Sequence, residues 1–179
     1  MNIVLVGLMG AGKSSVGRIL AETLGRPFID TDALITEGAG CSIPEIFAAE
    51  GEAGFRSREA AVVADVAGQD GLVVATGGGV AVSAANREAL RRTGVLFWLD
   101  ASPAELLRRA AAEGVAQRPL LAGADPLGKL EALAQARAGA YAAAAHHRVD
   151  AAQPAATVAA AIMAILRAKG GESDAAGEG

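Results

Sequence analysis

The run Gly7-Leu8-Met9-Gly10-Ala11-Gly12-Lys13-Ser14 spaces glycines, a lysine and a hydroxyl as G-x-x-x-x-G-K-S. Between a strand and a helix, such a loop aims backbone N–H groups and the positive helix end at one point, where a polyphosphate sits. At Gly7 and Gly12 the backbone needs positive φ and no Cβ to close on the phosphates. Lys13 then reaches the β- and γ-phosphates, and Ser14 ligates Mg²⁺. An ordinary glycine-rich turn is the competing reading. The apolar run Asn2 to Val6 before the loop and the amphipathic stretch after it favour the cradle.

Asp30-Thr31-Asp32 closes a second apolar run and brings two carboxylates to the same sheet edge. On a strand alternate residues share a face, so Asp30 and Asp32 are expected to point together. One would hold a metal-bound water, and the other would accept a proton from a hydroxyl attacking the γ-phosphate. The alternative is a solvated turn, or Asp32 as a helix cap. Arg56 and Glu59 share a helix face at i, i+3. The glutamate would orient a guanidinium that grips a carboxylate through two parallel hydrogen bonds, although spacing alone favours a surface ion pair. Gly77-Gly78-Gly79 offer bare N–H groups to a ligand, or make a tight turn. Arg118 lies in a stretch, about 113–124, that fits neither helix nor strand. It reads as a lid bringing positive charge to the transition state, or as an exposed basic loop. Arg137 is a second carboxylate partner or surface charge. Asp100 rivals Asp30 for magnesium but more simply begins the turn before Ser102, and His146 and His147 receive no role.

The elements that must position these groups alternate. Strand-length apolar runs lie at Asn2 to Val6, Pro27 to Ile29, Leu72 to Ala75, Val95 to Leu99 and Arg148 to Val149, with helical periods at Val16, Ile19, Leu20, Leu24 and at Val158, Ile162, Ile165, Leu166. Ser42-x-x-Glu45 and Ser102-Pro103-x-Glu105 read as capping boxes, Asp125-Pro126 as cap and first turn, and Gly170 as a helix stop. This rhythm predicts an α/β fold with a parallel sheet between helices, its ligands bound beyond the carboxyl ends of the strands. The chain of 179 residues, 52% hydrophobic and 20% charged, suits one domain at 1–170, with 171–179 a disordered tail. One cysteine, Cys41, excludes an intrachain disulfide and fits a packing role in a reducing compartment. No signal peptide or membrane span is suggested, which makes the cytoplasm the default. A net charge of −4 without a basic block argues against nucleic acid, so an anionic substrate must be held by a few placed cations.

Taken together, the phosphate loop, Asp30-Thr31-Asp32, Ser42-Ile43-Pro44-Glu45-Ile46-Phe47, Gly51-Glu52-x-x-Phe55-Arg56-x-x-Glu59, Thr76-Gly77-Gly78-Gly79 and Arg118-Pro119-Leu120-Leu121 resemble the shikimate kinase family in order and spacing, over residues 2 to about 166. The resemblance implies a three-layer αβα kinase with a five-stranded parallel sheet and a lid over the nucleotide. It implies transfer of the ATP γ-phosphoryl group to the 3-hydroxyl of shikimate, by a monomer that binds no membrane. By similarity, Gly10, Ala11, Gly12, Lys13, Ser14 and Ser15 hold the phosphates of ATP, and Ser14 and Asp30 serve Mg²⁺. Asp32 takes the shikimate hydroxyls and the proton, Arg56, Gly78 and Arg137 bind shikimate, and Arg118 is the lid arginine. Two segments depart from the family pattern. The stretch Arg108 to Gln117 is longer and alanine-rich, so Arg109 is not carried over as an adenine contact. Asp150 to Pro154 lacks the basic residue often found before the proline, leaving Gln153 to meet adenine through its backbone. The rival readings are a related metabolite kinase, such as gluconate kinase, and a non-catalytic nucleotide-binding module. The module would lack an Asn-Lys-x-Asp guanine signature and leave Asp32 and Arg56 idle.

Overall fold

A computed structural model describes residues 1–113 and 124–175. Five parallel strands, β1 (Asn2–Val6), β2 (Phe28–Asp30), β3 (Val73–Ala75), β4 (Gly94–Asp100) and β5 (His147–Asp150), pair in the order β2-β3-β1-β4-β5. Among the described residues the helices are α1 (Lys13–Leu24), α2 (Thr31–Ala39), α3 (Ile43–Ala67), α4 (Ala84–Thr93), α5 (Pro103–Glu113), α6 (Pro126–Ala144) and α7 (Ala155–Ala175). Each expected apolar run forms a strand. The central strand β1 is buried at every position, as a strand covered on both faces must be, which is why it reads as an uninterrupted hydrophobic run.

Strand order and handedness together fix the layers. The chain moves from β1 to one edge at β2, then steps back across the sheet through β3, β4 and β5. Right-handed crossovers therefore put α1 on one face and α3, α4, α5 and α6 on the other. Helix α7 contacts α1 and completes the first face. Val16 and Leu20 of α1 and Val158 and Ile162 of α7 enter one continuous core with β1, β3 and β4. A satellite cluster of Ile35, Ile46 and Phe55 joins α2 to α3, with Cys41 packed against it. Register places the site: Leu5 and Asp30 both stand level with Ala75, so β1, β2 and β3 end at one edge.

Four local expectations are corrected. The strand β2 ends at Asp30, and Asp32 already lies in the first turn of α2, so strand alternation does not relate the two carboxylates. Asp30, not Asp32, caps that helix, accepting from the Asp32 and Ala33 N–H groups at 3.1 and 3.4 Å. The box at Ser102 is half formed. Its hydroxyl accepts from the Glu105 N–H at 3.3 Å, but the Glu105 carboxylate turns to Arg108 and Arg109 instead. Helix α7 continues through Gly170 to Ala175, because an interior glycine weakens a helix by about 1 kcal/mol without ending it. Residues 176–179 and the proposed lid, including Arg118, lie outside the described residues. No described helix is long and apolar enough to cross a membrane.

Candidate active site

A cleft of about 1260 Å³ opens at the carboxyl ends of β1, β2 and β3. Lys13, Asp32, Arg56, Gly78 and Arg137, spread over more than a hundred residues of sequence, all line it. The phosphate loop forms one end. Gly7, Gly10 and Gly12 have φ of 141°, 78° and 85°, and a Cβ on Gly7 would meet the Leu99 carbonyl oxygen at 2.5 Å. A left-handed turn with no room for a side chain accepts only glycine. Gly12 sits at the N-cap of α1, so the positive end of that helix faces the cleft. Lys13 is buried and donates to the Gly7 and Leu8 carbonyls at 2.8 Å each, folding its cation along the loop. The Ser14 hydroxyl donates to Asp30 Oδ2 at 2.7 Å, which pairs the loop hydroxyl with the carboxylate at the end of β2.

At the other end of the cleft stand the acidic and basic side chains. Burial is the first cause that raises the Asp32 carboxyl above its ordinary value of 3.8, and the neighbouring Asp30 and Glu59 charges push the same way, against Lys13 and Arg56. Asp32 lies so close to the backbone that a Cβ on Gly77 would overlap its carboxylate. Arg56 Nη1 donates to both oxygens of Glu59 at 3.1 and 2.9 Å. Glu59 is only 2% exposed against 35% for Arg56, so the acid is a buried anchor and the guanidinium reaches from it into the cleft. This is a different object from the surface ion pair that spacing alone favours. Helix α3 breaks at Gly51 (φ 69°), which separates the turn carrying Phe47 from the segment carrying Phe55 and Arg56. The rings of Phe47 and Phe55 stack at 4.7 Å and give this end an apolar wall.

Between the two ends runs the strap Thr76-Gly77-Gly78-Gly79. Thr76 donates to the Leu5 carbonyl at 2.9 Å, and the Gly77 N–H donates to the fully buried Thr31 hydroxyl at 2.9 Å. Arg137 Nη1 donates to the Gly78 carbonyl at 3.0 Å, and Tyr141 donates to the same oxygen at 2.6 Å. A Cβ on Gly79 would overlap the Arg56 guanidinium. The glycines are therefore bare because charged side chains lie against them.

The structure also brings in residues that sequence reasoning left aside. Arg109 donates to Glu105 at 2.7 Å and to the carbonyls of Ala151 and Gln153 at 2.6 and 3.4 Å, and lies beside Gly12, so it lines the cleft with Gln153. Its signal was available: Glu105 four residues earlier on one helix face is an orienting acid. Tyr141 stands four residues after Arg137 in the same relation. The Thr31 hydroxyl had no sequence signal, since its partner is a backbone N–H 46 residues away. Asp100 lies outside this cleft, paired with Arg148 at 2.9 Å. His146 Nδ1 accepts from the Leu96 N–H at 3.0 Å and His147 stacks on Phe97, both structural positions.

The donor set fits a hard cation that travels with a nucleotide. Ser14 and Asp30 supply two oxygens, and the described residues contain no cluster of three or more His, Cys, Asp or Glu side chains that could hold a metal alone. Mg²⁺ is commonly bound in this way, by one or two protein oxygens with phosphates and waters completing the octahedron.

Comparison with known proteins identifies the family. The shikimate kinase family model matches residues 9–167. A shikimate kinase from Symbiobacterium thermophilum is 62% identical over 149 residues, covering 83% of this chain and 86% of that protein. The structure of a shikimate kinase from Acinetobacter baumannii, solved in complex with shikimate, superposes with a TM-score of 0.88 at 41% identity, covering 94% of this chain and 93% of that one. A gluconokinase from Sinorhizobium meliloti, at 23% identity and a TM-score of 0.57, shares the fold alone. With a matching family model and a relative at this identity, the chain belongs to the shikimate kinase family.

Proposed function

We propose that this protein transfers the γ-phosphoryl group of ATP to the 3-hydroxyl of shikimate, giving shikimate 3-phosphate and ADP for aromatic amino acid biosynthesis in the cytoplasm. The observation that carries the reading is the convergence of Asp32, Arg56, Gly78 and Arg137 on one cleft with the phosphate loop. Shikimate has one carboxylate and three hydroxyls. Arg56 and Arg137 offer the carboxylate two guanidinium groups, each already oriented, Arg56 by Glu59 and Arg137 by Gly78. Asp32 meets the hydroxyls and receives the proton of the attacking one. Its carboxyl, raised by burial, has more basicity for that task than an exposed aspartate.

On the donor side, residues 10–15 hold the triphosphate through backbone N–H groups and the end of α1. Lys13 leaves the loop carbonyls for the β- and γ-phosphates, and Arg109 with the backbone at Gln153 meets the base. Ser14 and Asp30 would hold Mg²⁺, directly and through water, and the ion when bound neutralises charge on the β- and γ-phosphates. Catalysis here is mostly placement. The acceptor hydroxyl and the γ-phosphorus are brought into line, and Arg118 is assigned to the transition-state charge. A monomer suffices, since one chain supplies both ends of the cleft.

A coupled ADP-release assay with ATP and Mg²⁺ tests the reading. Turnover with shikimate is expected. Turnover with gluconate or a nucleoside monophosphate and none with shikimate would overturn it.

A further inference from the structure

The Gly78 carbonyl oxygen accepts two hydrogen bonds from α6, from Tyr141 at 2.6 Å and from Arg137 Nη1 at 3.0 Å. The phenol is 1% exposed, and its ring lies tilted against Trp98 at 5.7 Å, so it is clamped by the main core. On the other side the strap abuts the phosphate loop, since a Cβ on Gly78 would lie 3.4 Å from both the Met9 nitrogen and Arg137 Nη1. We infer that Tyr141 is a positioning residue for the acceptor substrate: its hydroxyl fixes the Gly78 carbonyl, which in turn holds the Arg137 guanidinium at the angle that receives the substrate carboxylate.

The inference rests on the reading of Arg137 as a carboxylate partner. Its physical basis is that a guanidinium on a long flexible stem has many rotamers, and each fixed acceptor removes some of that freedom before the ligand arrives. Gly78 lacks a side chain and follows another glycine, so its carbonyl needs an external hold to serve as that acceptor. Thr31 holds the strap at Gly77, and Tyr141 holds it one residue later. Burial pushes the Tyr141 phenol above its usual 10.0, against the opposing pull of Arg137, so it remains a hydrogen-bond donor through the working range.

The test is Tyr141→Phe, which deletes one oxygen and keeps the ring. The KM for shikimate is expected to rise about tenfold, the factor equivalent to one buried hydrogen bond, with kcat and the KM for ATP within about twofold. The variant combined with Arg137→Lys should lose less than the product of the single effects, because both act on one contact. A second readout needs no substitution. The chain has one tyrosine, so growth on 3-fluorotyrosine labels Tyr141 alone, and its ¹⁹F resonance should move on adding shikimate and saturate with the enzyme. An unchanged shikimate KM in an active Tyr141→Phe protein, or equal rises in both KM values, overturns the inference alone, as does a ¹⁹F resonance indifferent to saturating shikimate. Wild-type protein that turns over no shikimate overturns the functional reading and this inference with it.

Discussion

The two ends of the cleft are built by opposite means. The phosphate end is local: eight consecutive residues, mostly backbone, hung from the fully buried strand β1 and the first turn of α1. The acceptor end is assembled from four distant segments, and its contacts are side-chain ion pairs and single hydrogen bonds. They also differ in part of their support. β1 and α1 belong to the continuous core, as does Tyr141 at the acceptor end, whereas Phe55, adjacent to Arg56, sits in a three-residue cluster between α2 and α3. Local backbone chemistry tolerates little sequence change but needs little help from afar. A dispersed charged site can be retuned residue by residue, and each member depends on a neighbour to hold it.

The sharpest way to break this contrast is to remove a group from one end and look for damage at the other. Asp32→Ala should lower kcat by about 10² to 10⁴, the usual worth of a positioned proton acceptor, with ATP affinity nearly intact by titration. A matching loss of ATP binding would erase the distinction between the ends. The same substitution bears on stability. Because the Asp32 carboxyl is raised when folded, the native state binds more protons than the unfolded chain between 3.8 and that raised value, so stability falls as pH rises through that window. Above it the ionised carboxylate is a standing cost. Asp32→Ala should therefore raise the unfolding midpoint at pH 7 and leave it nearly unchanged well below 3.8; a lowered midpoint at pH 7 would show that its ion partners outweigh its burial.

Arg56→Ala should weaken shikimate binding by on the order of 2 kcal/mol and also lower stability, because it leaves Glu59 buried without its guanidinium. Arg56→Lys should recover part of the stability and less of the binding, since an ammonium cannot reproduce the two-pronged contact. Equal recovery of both would mean that only charge matters there. Arg109→Ala should raise the KM for ATP several-fold and leave that for shikimate alone. The smallest effect concerns support rather than chemistry. Backbone amides of α2 and the first half of α3 should exchange with solvent faster than those of β1 and β4, as measured by hydrogen exchange, because the satellite cluster buries far less apolar surface. Uniform protection would mean that the two supports are one.

The contrast also explains what could be read from the sequence. The phosphate loop, the five strands and the amphipathic helices are short-range patterns, and Gly7 through Ser14 could be placed without a neighbour. Asp30 could be seen as important but not as both helix cap and Ser14 partner, because the end of β2 is decided by the turn that follows. By spacing alone Arg56 reads as a surface pair, and its substrate role comes only from the family resemblance, since no local pattern tells that Glu59 is buried beneath it. The Tyr141 and Thr31 contacts join residues 63 and 46 positions apart, and only the fold brings them together.

Calorimetric titration of wild type and Arg56→Ala with shikimate, and separately with ATP and Mg²⁺, measures whether the two ends of the cleft bind their ligands independently. The variant is expected to lose most of its affinity for shikimate and to keep that for ATP. Unchanged shikimate affinity, or equal losses for both ligands, would contradict this expectation.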